Sequence, residues 1–290
     1  MNMTTNNLLA ARRRKTVRGI GVAAKYVAIA ALFLFLLFPV YWMMVTSLKT
    51  NTESYRIIPT LWPDLLNTDG YASLFADGKF LVYYKNNLIV SALAAALICF
   101  VSLFAGYALS RFNFRWNLLL FATFSFAQMM PVISRLISLY TIMRRMGMTD
   151  TYFGVVLAVS ATQVPFTVSL MASFFDGIPK DLEEAASVDG CGRLRTLFSI
   201  IMPLVVPGLL AVGVYSFLMT WDDYLHALTL VRSPEKWTLS QGLKLTYLGE
   251  VSDWQLINSA SILGALPMIF VFFFFQKYMV KGLVAGAVKG

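Results

Sequence analysis

Cysteine, histidine and acidic residues are scarce in this sequence. Two cysteines and one histidine occur among 290 residues, and Asp and Glu together number 15. Cys99 and Cys191 cannot form a disulfide framework, because they are too few and one lies in an apolar run while the other lies in a polar loop. A metal site is not expected either, because His226 is the sole imidazole. We expect both cysteines to be small packing residues.

A phosphate-binding loop is also missing from the sequence. No segment matches G-x-x-x-x-G-K-[ST], whose backbone N–H groups and lysine hold nucleotide phosphates. We therefore expect no cofactor on this chain, neither ATP nor Mg²⁺. The apolar segments offer almost no clusters of His, Asp, Glu or Ser, which a membrane-embedded enzyme would need. These absences argue against a chain that catalyses bond chemistry.

Charge is low, and apolar residues are abundant. Charged residues make up 13% of the sequence and apolar residues 58%, with a mean hydropathy of +0.67. Many apolar runs reach the ~20 residues that a membrane-spanning helix needs. They are continuous, whereas strands of a membrane β-barrel alternate. We therefore predict an all-α integral membrane protein with six spans, at 26–48, 87–109, 117–142, 152–175, 204–221 and 256–279.

The distribution of Lys and Arg predicts which side of the membrane each loop occupies. With both termini in the cytoplasm, the inner segments hold 14 of the 24 basic residues and the longer outer segments hold nine. Arg144 and Arg145 fall outside and do not fit this rule. The basic N-terminal segment 1–25 accounts for much of the net charge of +9. We interpret it as a topology signal that also attracts anionic lipid, and not as a nucleic-acid-binding segment.

The most specific motif lies between the fourth and fifth apolar runs. Residues 184–203 read EAASVDGCGRLRTLFSIIMP, which is E-A-A, three residues, G, nine residues, I, one residue and M-P. This motif resembles the cytoplasmic EAA loop of permease subunits in binding-protein-dependent ATP-binding-cassette importers. The family usually has Leu before the final Pro, and Met202 is a volume-conserving change. The candidate coupling residues are Glu184, Ala185, Ala186, Asp189, Gly190 and Pro203.

The resemblance implies a coupling helix between the fourth and fifth spans, near Leu182–Arg195. This helix would dock into a cleft on an ATP-hydrolysing partner. Ala185, Ala186 and Gly190 would form its close-packing face, and Glu184 would pair with a basic residue of the cleft.

The flanking residues of the loop 176–203 have lesser expected roles. Asp189 would cap the helix locally or contact the partner. Pro203 would end the loop where the next span begins. We expect the remaining charged residues, Glu183 among them, to form mostly the solvated side of the helix.

The resemblance also implies partners and a location. These are a homologous permease subunit as the other half of the pore, two ATP-binding subunits that hold ATP and Mg²⁺, an extracytoplasmic solute-binding protein, and the lipid of the bacterial inner membrane. The six spans would form one permease domain over 26–279.

The C-terminal sequence QKYMVKGLVAGAVKG resembles sugar-type permeases similar to the smaller maltose-system subunit. In that relative, this tail reaches the interface between the ATPase subunits. Gly282, Gly286 and Gly290 would make a cytoplasmic tail over 280–290 slim and pliable. A frayed terminus is the other interpretation.

Five polar residues are candidates for a substrate cavity. Trp221 and Asp222 lie in a W-D-D-Y sequence that resembles a feature of sugar-type permeases. Trp221 either stacks on a sugar ring beside Asp222, or the aspartates cap structure at the interface. Gln128, Arg135 and Gln163 fall inside predicted spans. Arg135 either binds an anionic group, pairs with an acid, or extends towards the outer interface.

Other residues are expected to shape the spans. Pro131 and Pro165 should kink the third and fourth spans. Asn86 and Asn87 should cap the second span. His226 should be a surface residue on the outer side.

The predicted function is translocation of a sugar, polyol or sugar derivative by alternating access, driven by partner ATPases. Arg135 slightly favours an anionic derivative. The alternative is a secondary transporter driven by an ion gradient, which would want paired acids at the membrane midplane and often an inverted repeat. Neither feature is evident.

Overall fold

The computed structural model describes residues 2–112, 115–247 and 253–287, with side chains described from residue 22 to residue 277 except at 117 and 118. Within those ranges every regular element is helical, which confirms the predicted all-α class. The α-helices are α1 Asn2–Ser47, α2 Asn51–Ser54, α3 Asp69–Asp77, α4 Lys79–Arg111, α5 Asn117–Met129, α6 Val132–Arg145, α7 Tyr152–Asp176, α8 Asp181–Val188, α9 Arg193–Thr196, α10 Met202–Trp221, α11 Leu225–Leu230, α12 Leu239–Gly242 and α13 Trp254–Ala287. A 3₁₀ turn covers Pro234–Lys236, and π-turns cover Leu197–Ile201 and Leu243–Tyr247.

Among the described residues, five helical segments are long and apolar enough to cross a membrane, and they overlap five of the six predicted spans. They are Val22–Ser47, Lys79–Arg111, Tyr152–Asp176, Arg193–Trp221 and Trp254–Lys277. The remaining predicted span, 117–142, which is the third along the chain, is wrong as a single helix. It is a pair of helices, α5 and α6, bent by 107° at the break.

Pro131 explains this break. The residue before a proline is pushed out of the α region, because its backbone clashes with the proline Cδ. Met130 accordingly has an extended ψ of 134° and ends α5, and Pro131 precedes the first residue of α6. The expected kink in the third span is therefore a complete break. Pro165, by contrast, lies within the continuous helix α7.

Asn86 and Asn87 do not cap the second span, because α4 begins at Lys79. Both side chains are buried inside the bundle and bind backbone carbonyls. The Asn86 amide donates to Glu235 O at 2.9 Å and to Trp237 O at 3.0 Å, and the Asn87 amide donates to Trp221 O at 3.1 Å. They tie α4 to the C-terminal end of α10 and to the loop that follows α11.

The chain divides into two compact units. The first comprises Met1–Gly70 and Trp254–Ile262, and the second comprises Tyr71–Asp253 and Leu263–Gly290. In the first unit the loop after α1 is fixed by polar contacts. Gln255 donates to the backbone and side-chain oxygens of Asn67 at 3.1 and 2.7 Å, and buried Glu53 accepts from Asp64 N at 3.1 Å.

The core of the second unit is formed by α4, α7 and α10. Small residues let these helices approach closely, as is typical of membrane helix packing. A Cβ on Gly106 would lie 2.9 Å from Cβ of Met171, and a Cβ on Gly208 would overlap the Phe174 ring. Cys99 is half-buried against this core, as expected of a packing residue. This bundle supports the candidate site at one end and the loops around α11 at the other.

Candidate functional site

The EAA segment forms a short helix, α8, that ends earlier than predicted. Asp181, Glu183 and Glu184 lie in its first turn, where carboxylates favour the positive end of the helix dipole. The helix stops at Val188, so the predicted helix Leu182–Arg195 is wrong in its second half.

Gly190 provides the reason for this early end. Its φ is +79°, in the left-handed region that suits glycine. Cys191 N donates to Ala186 O at 2.9 Å, and Gly190 N donates to Ser187 O at 3.1 Å. This is the hydrogen-bond pattern of a Schellman motif, which terminates helices. Gly190 therefore forms the turn that ends α8, and its contribution to a face that packs against a partner stays a prediction.

The two alanines of the motif face different environments. Ala186 is 4% exposed and packs within this chain, so it is not free to contact a partner. Ala185 and Glu184 are exposed, and Val188 is 87% exposed. Asp189 is exposed at the C-cap position.

The anchor of α8 is Glu183, which the sequence alone did not reveal. Its carboxylate forms an ion pair with Nε of Arg111 at the end of α4, and the two side chains are 18% and 6% exposed. Tyr107 Oη donates to the other carboxylate oxygen at 2.9 Å. Arg111 also donates to Ile178 O at 3.0 Å. Glu183 is therefore a structural residue, contrary to its expected place on the solvated side. The only signal in the sequence is a lone basic residue that closes an apolar run.

A cavity of about 300 Å³ lies beneath α8. Arg111, Glu183, Cys191 and Arg193 contribute to its walls. The Arg193 guanidinium lies 5.0 Å from the centre of the Phe112 ring, an arrangement that favours a cation–π interaction. Glu184 and Ser187 of α8 also line the cavity.

Pro203 does not end the EAA segment. Arg193–Trp221 is one continuous helix of 29 residues that joins α9 to α10. A π-turn over Leu197–Ile201 precedes the proline, and Met202 N donates to Leu197 O. In an α-helix the proline ring would clash with the carbonyl four residues earlier, and the wider turn relieves this clash. The segment after α8 is thus directly continuous with a membrane-spanning helix.

Trp221 is a buried structural residue in this conformation. It is 3% exposed, and its indole N–H donates to Gly264 O at 3.0 Å. Its ring centroid lies 5.5 Å from that of Tyr84, edge to face, and 5.7 Å from that of Phe217, stacked. No face of the ring is open to a sugar, so the expectation that Trp221 stacks on a solute is not met here.

The two aspartates after Trp221 differ from each other. Asp222 is exposed, whereas Asp223 accepts a hydrogen bond from His226 N at 3.1 Å and lies 2.7 Å from His226 Nδ1. Asp223 thus supports the first turn of α11. His226 is 4% exposed, so its predicted place on the surface is wrong.

The three remaining cavity candidates lie apart in the chain. Gln128 is exposed on α5 and donates to Phe124 O at 3.4 Å. Gln163 donates to Thr220 Oγ1 at 3.1 Å, and its carbonyl oxygen is buried without a hydrogen-bond partner among the described residues. Arg135 is half-buried in the first turns of α6, and its Nε likewise has no such partner. No described contact joins Arg135 to Asp222.

The glycines of the C-terminal segment lie in and beyond α13. Gly282 and Gly286 belong to this helix, which continues to Ala287. The predicted pliable tail is therefore helical as far as it is described. Gly290 lies outside the described residues.

Comparison with known proteins identifies the fold and the family. The family described as "Binding-protein-dependent transport system inner membrane component" matches residues 98–284. The sulfoquinovosyl glycerol transport system permease protein SmoH of Agrobacterium fabrum is 33% identical, over 93% of this chain and 95% of the relative. The inner membrane ABC transporter permease protein YcjP of Escherichia coli is 32% identical, over 97% of this chain and 100% of the relative.

A solved structure shares the fold. It is a chain of a bacterial ABC transporter involved in the import of the acidic polysaccharide alginate, with a TM-score of 0.76 and 22% identity over 91% of this chain and 97% of that one. With the family match and the membrane-spanning helices, this similarity confirms the multi-pass permease fold expected from the EAA motif. The chain belongs to the family of inner membrane permease components of binding-protein-dependent transport systems.

Proposed function

We propose that this chain is one half of the pore of an ATP-driven carbohydrate importer, with α8 as its cytoplasmic coupling helix. The observation that carries this proposal is the construction of α8. It is anchored through Glu183 to α4, and it presents Glu184, Ala185 and Val188 outward. A homologous permease subunit completes the pore, and two partner subunits bind and hydrolyse ATP with Mg²⁺. Both termini then lie in the cytoplasm.

The connections of α8 explain how it acts on the membrane helices. A displacement of α8 reaches α4 through the Glu183–Arg111 ion pair. It reaches α10 through the short turn at Gly190 and the continuous helix Arg193–Trp221. Both helices belong to the core of the second unit. Movement at the inner end is thereby transmitted to the outer end of α10, as alternating access requires.

The substrate class rests on similarity to carbohydrate permeases and on the polar residues of the bundle. The similar permease SmoH is named for the transport of sulfoquinovosyl glycerol. Arg135 and Gln163 each keep a buried polar atom without a partner among the described residues, and such atoms favour a polar solute or water. Trp221 is committed to packing, so we assign the solute contact to Gln163, Arg135, Gln128 and Asp222.

Reconstituted uptake tests this proposal. The chain is assembled with its partner permease and ATPase subunits in vesicles, and sugar uptake is measured with ATP and the solute-binding protein. We expect Glu184→Lys to abolish uptake while the subunit still inserts and assembles. Glu235→Lys, the same reversal at an exposed acid of the outer loop, serves as the matched control and should transport normally. Normal coupling in Glu184→Lys, or uptake driven by an ion gradient without ATP, would refute the proposal.

The C-terminal segment offers a second test. We expect deletion of 283–290 to weaken the stimulation of ATP hydrolysis by the binding protein, because this segment extends towards the ATPase subunits. Unchanged stimulated hydrolysis would exclude such a contact.

A further inference from the structure

Asp150 organises the outer corner between α6 and α7. Its φ is +60°, an uncommon conformation for a residue with a side chain. One carboxylate oxygen accepts from Arg232 N at 3.0 Å and Ser233 N at 2.9 Å. The other accepts from the Ser233 hydroxyl at 2.6 Å and from Lys236 Nζ at 3.1 Å. Asp150 N donates in turn to Leu230 O at 2.7 Å. The loop after α11 is thus bound to this corner from both sides.

This network keeps Asp150 ionised. Hydrogen bonds from Ser233, through its hydroxyl and then its backbone, lower the pKa of the Asp150 carboxyl far below its ordinary value, although partial burial raises it. A carboxylate that accepts several hydrogen bonds is stabilised in its charged form. Lys236 and the backbone donors compensate the single negative charge of Asp150, so this carboxylate does not neutralise other cations nearby.

Three arginines, Arg144, Arg145 and Arg232, stand exposed around this corner and form what we call the outer arginine patch. Arg232 Nη2 donates to Tyr140 Oη at 3.0 Å, which places it one helical turn from Arg144 on α6. None of the three forms an ion pair with a carboxylate in the ranges that the structure describes. Ile142 and Met146, 49% and 54% exposed, add apolar surface beside them.

The structure offers one internal use for Arg144 and Arg145. They occupy the last turn of α6, where cations favour the negative end of the helix dipole. This explanation does not extend to Arg232, which follows α11 in an extended loop fixed by Asp150. Arginines on the outer side also run against the usual inward bias of basic residues. The helix dipole therefore does not explain all three exposed arginines.

We propose that the outer arginine patch docks an acidic face of the extracytoplasmic solute-binding protein. This inference rests on the proposed function, which supplies the outward orientation and the partner. Charge complementarity speeds docking and sets specificity between proteins. A rigid loop lowers the entropic cost of docking, whereas long basic side chains that contact lipid need no fixed backbone. The Asp150 network thus favours a protein partner over lipid headgroups.

The binding experiment uses the assembled importer in nanodiscs of neutral phosphatidylcholine. The probe is the solute-binding protein encoded beside the permease gene, labelled with a fluorophore, titrated at low and high NaCl. We expect the variant R144Q/R145Q/R232Q to raise Kd about tenfold at low salt and to flatten the salt dependence. The matched control is Lys244→Gln, which removes an exposed cation of the same outer segment and should change Kd less than about twofold.

Further readouts separate the possible failures. Basal ATP hydrolysis and stimulation at saturating binding protein should be unchanged in the triple variant, which shows that it is folded and coupled. If the Kd and the salt slope of the triple variant are unchanged, or if Lys244→Gln loses as much affinity as the triple variant, the inference is overturned while the proposed function stays intact. If the triple variant binds the probe more weakly than wild type only when the nanodisc contains phosphatidylglycerol, the arginines contact lipid headgroups and the inference is overturned. If the wild-type importer does not bind the probe at all, the proposed function fails as well.

Discussion

Two helices of this chain end in the same glycine turn but are held in different ways. After α8, Gly190 and Cys191 donate to Ser187 and Ala186 at 3.1 and 2.9 Å. After α6, Gly147 and Met148 donate to Arg144 and Met143 at the same two distances. Both glycines are left-handed, with φ of +79° and +68°. The local sequence thus produces equivalent turns on what we propose to be opposite sides of the membrane.

The difference lies in the ionic anchor beside each turn. The inner helix is fixed by one ion pair, Glu183 with Arg111, which is largely hidden from solvent. The outer corner is fixed by Asp150, whose carboxylate accepts hydrogen bonds from backbone and side-chain groups of a single loop. The first anchor joins α8 to a membrane helix and can transmit force to it. The second anchor immobilises a loop, and so it suits a fixed docking surface.

The largest effect should come from breaking the inner anchor. In Glu183→Gln the amide can still bind Tyr107, but Arg111, 6% exposed, loses its counter-charge. Leaving one buried charge unpaired typically costs ~3–5 kcal/mol. We expect a matching loss of stability in thermal unfolding of the purified protein. Glu184→Gln, next in sequence but exposed, is the control; equal destabilisation by both substitutions would contradict the anchor.

Breaking the outer anchor should have a smaller effect. Asp150→Asn removes the charge but keeps the side-chain shape, and we expect Tm to fall by about 3 °C. Because the folded pKa of Asp150 is lowered, its stabilisation is fully present above the unfolded pKa of about 3.9 and is lost as pH falls through the folded value.

The pH dependence checks this prediction. The difference in Tm between wild type and Asp150→Asn should be constant from about pH 8 to pH 5 and should shrink below about pH 4. A difference that already disappears near neutral pH would show that the carboxylate is not held in its charged form.

Substitution of the two glycines compares the turns directly. Ala in a left-handed conformation costs about 1–2 kcal/mol, and no described atom obstructs the added Cβ at either position. We therefore expect Gly190→Ala and Gly147→Ala to lower stability equally. Only Gly190→Ala should also reduce coupling between ATP hydrolysis and uptake, because its turn links α8 to α10. Equal coupling defects would remove the functional distinction between the turns.

The smallest effect on stability should come from Val188→Ser. This side chain is 87% exposed, and exposed substitutions usually change stability by less than about 0.5 kcal/mol. We nevertheless expect weaker stimulation of ATP hydrolysis, because the serine would not make the apolar contact with the partner that we propose for Val188. Normal stimulation would place the docking surface elsewhere on α8.

Composition and the apolar runs predicted the class and most spans, because lipid requires helices of a certain length. They did not predict the break at Pro131. A proline within an apolar run can lie inside a helix, as Pro165 does in α7, or it can end the helix, as Pro131 ends α5. What decides between these outcomes is the packing around each proline, which no local pattern records. The early start of α4 was missed for a similar reason. Asn86 and Asn87 lie inside this helix because they bind backbone groups of later segments, and no local pattern records those contacts.

The EAA motif located α8 but could not assign a role to each of its residues. Glu183 and Glu184 are adjacent, and only the tertiary fold decides that Glu183 meets Arg111, 72 residues away in sequence. The burial of Ala186 could not be predicted for the same reason, because a small residue suits both the inside of the chain and a docking surface. His226 could have been predicted as buried from Asp223 three residues earlier, which pairs with it across the first turn of α11.

The π-turn at Leu197–Ile201 sets the rotational phase of everything that follows in α10. It adds one residue to a turn, and one residue corresponds to about 100° around a helix. That offset aims Gly208 at Phe174 and Trp221 at Gly264. Removing a single residue from the π-turn would leave the helix apolar and nearly as long but would turn Gly208 away from Phe174 of α7. The same bulge that accommodates a proline therefore also decides which side of a membrane helix faces protein.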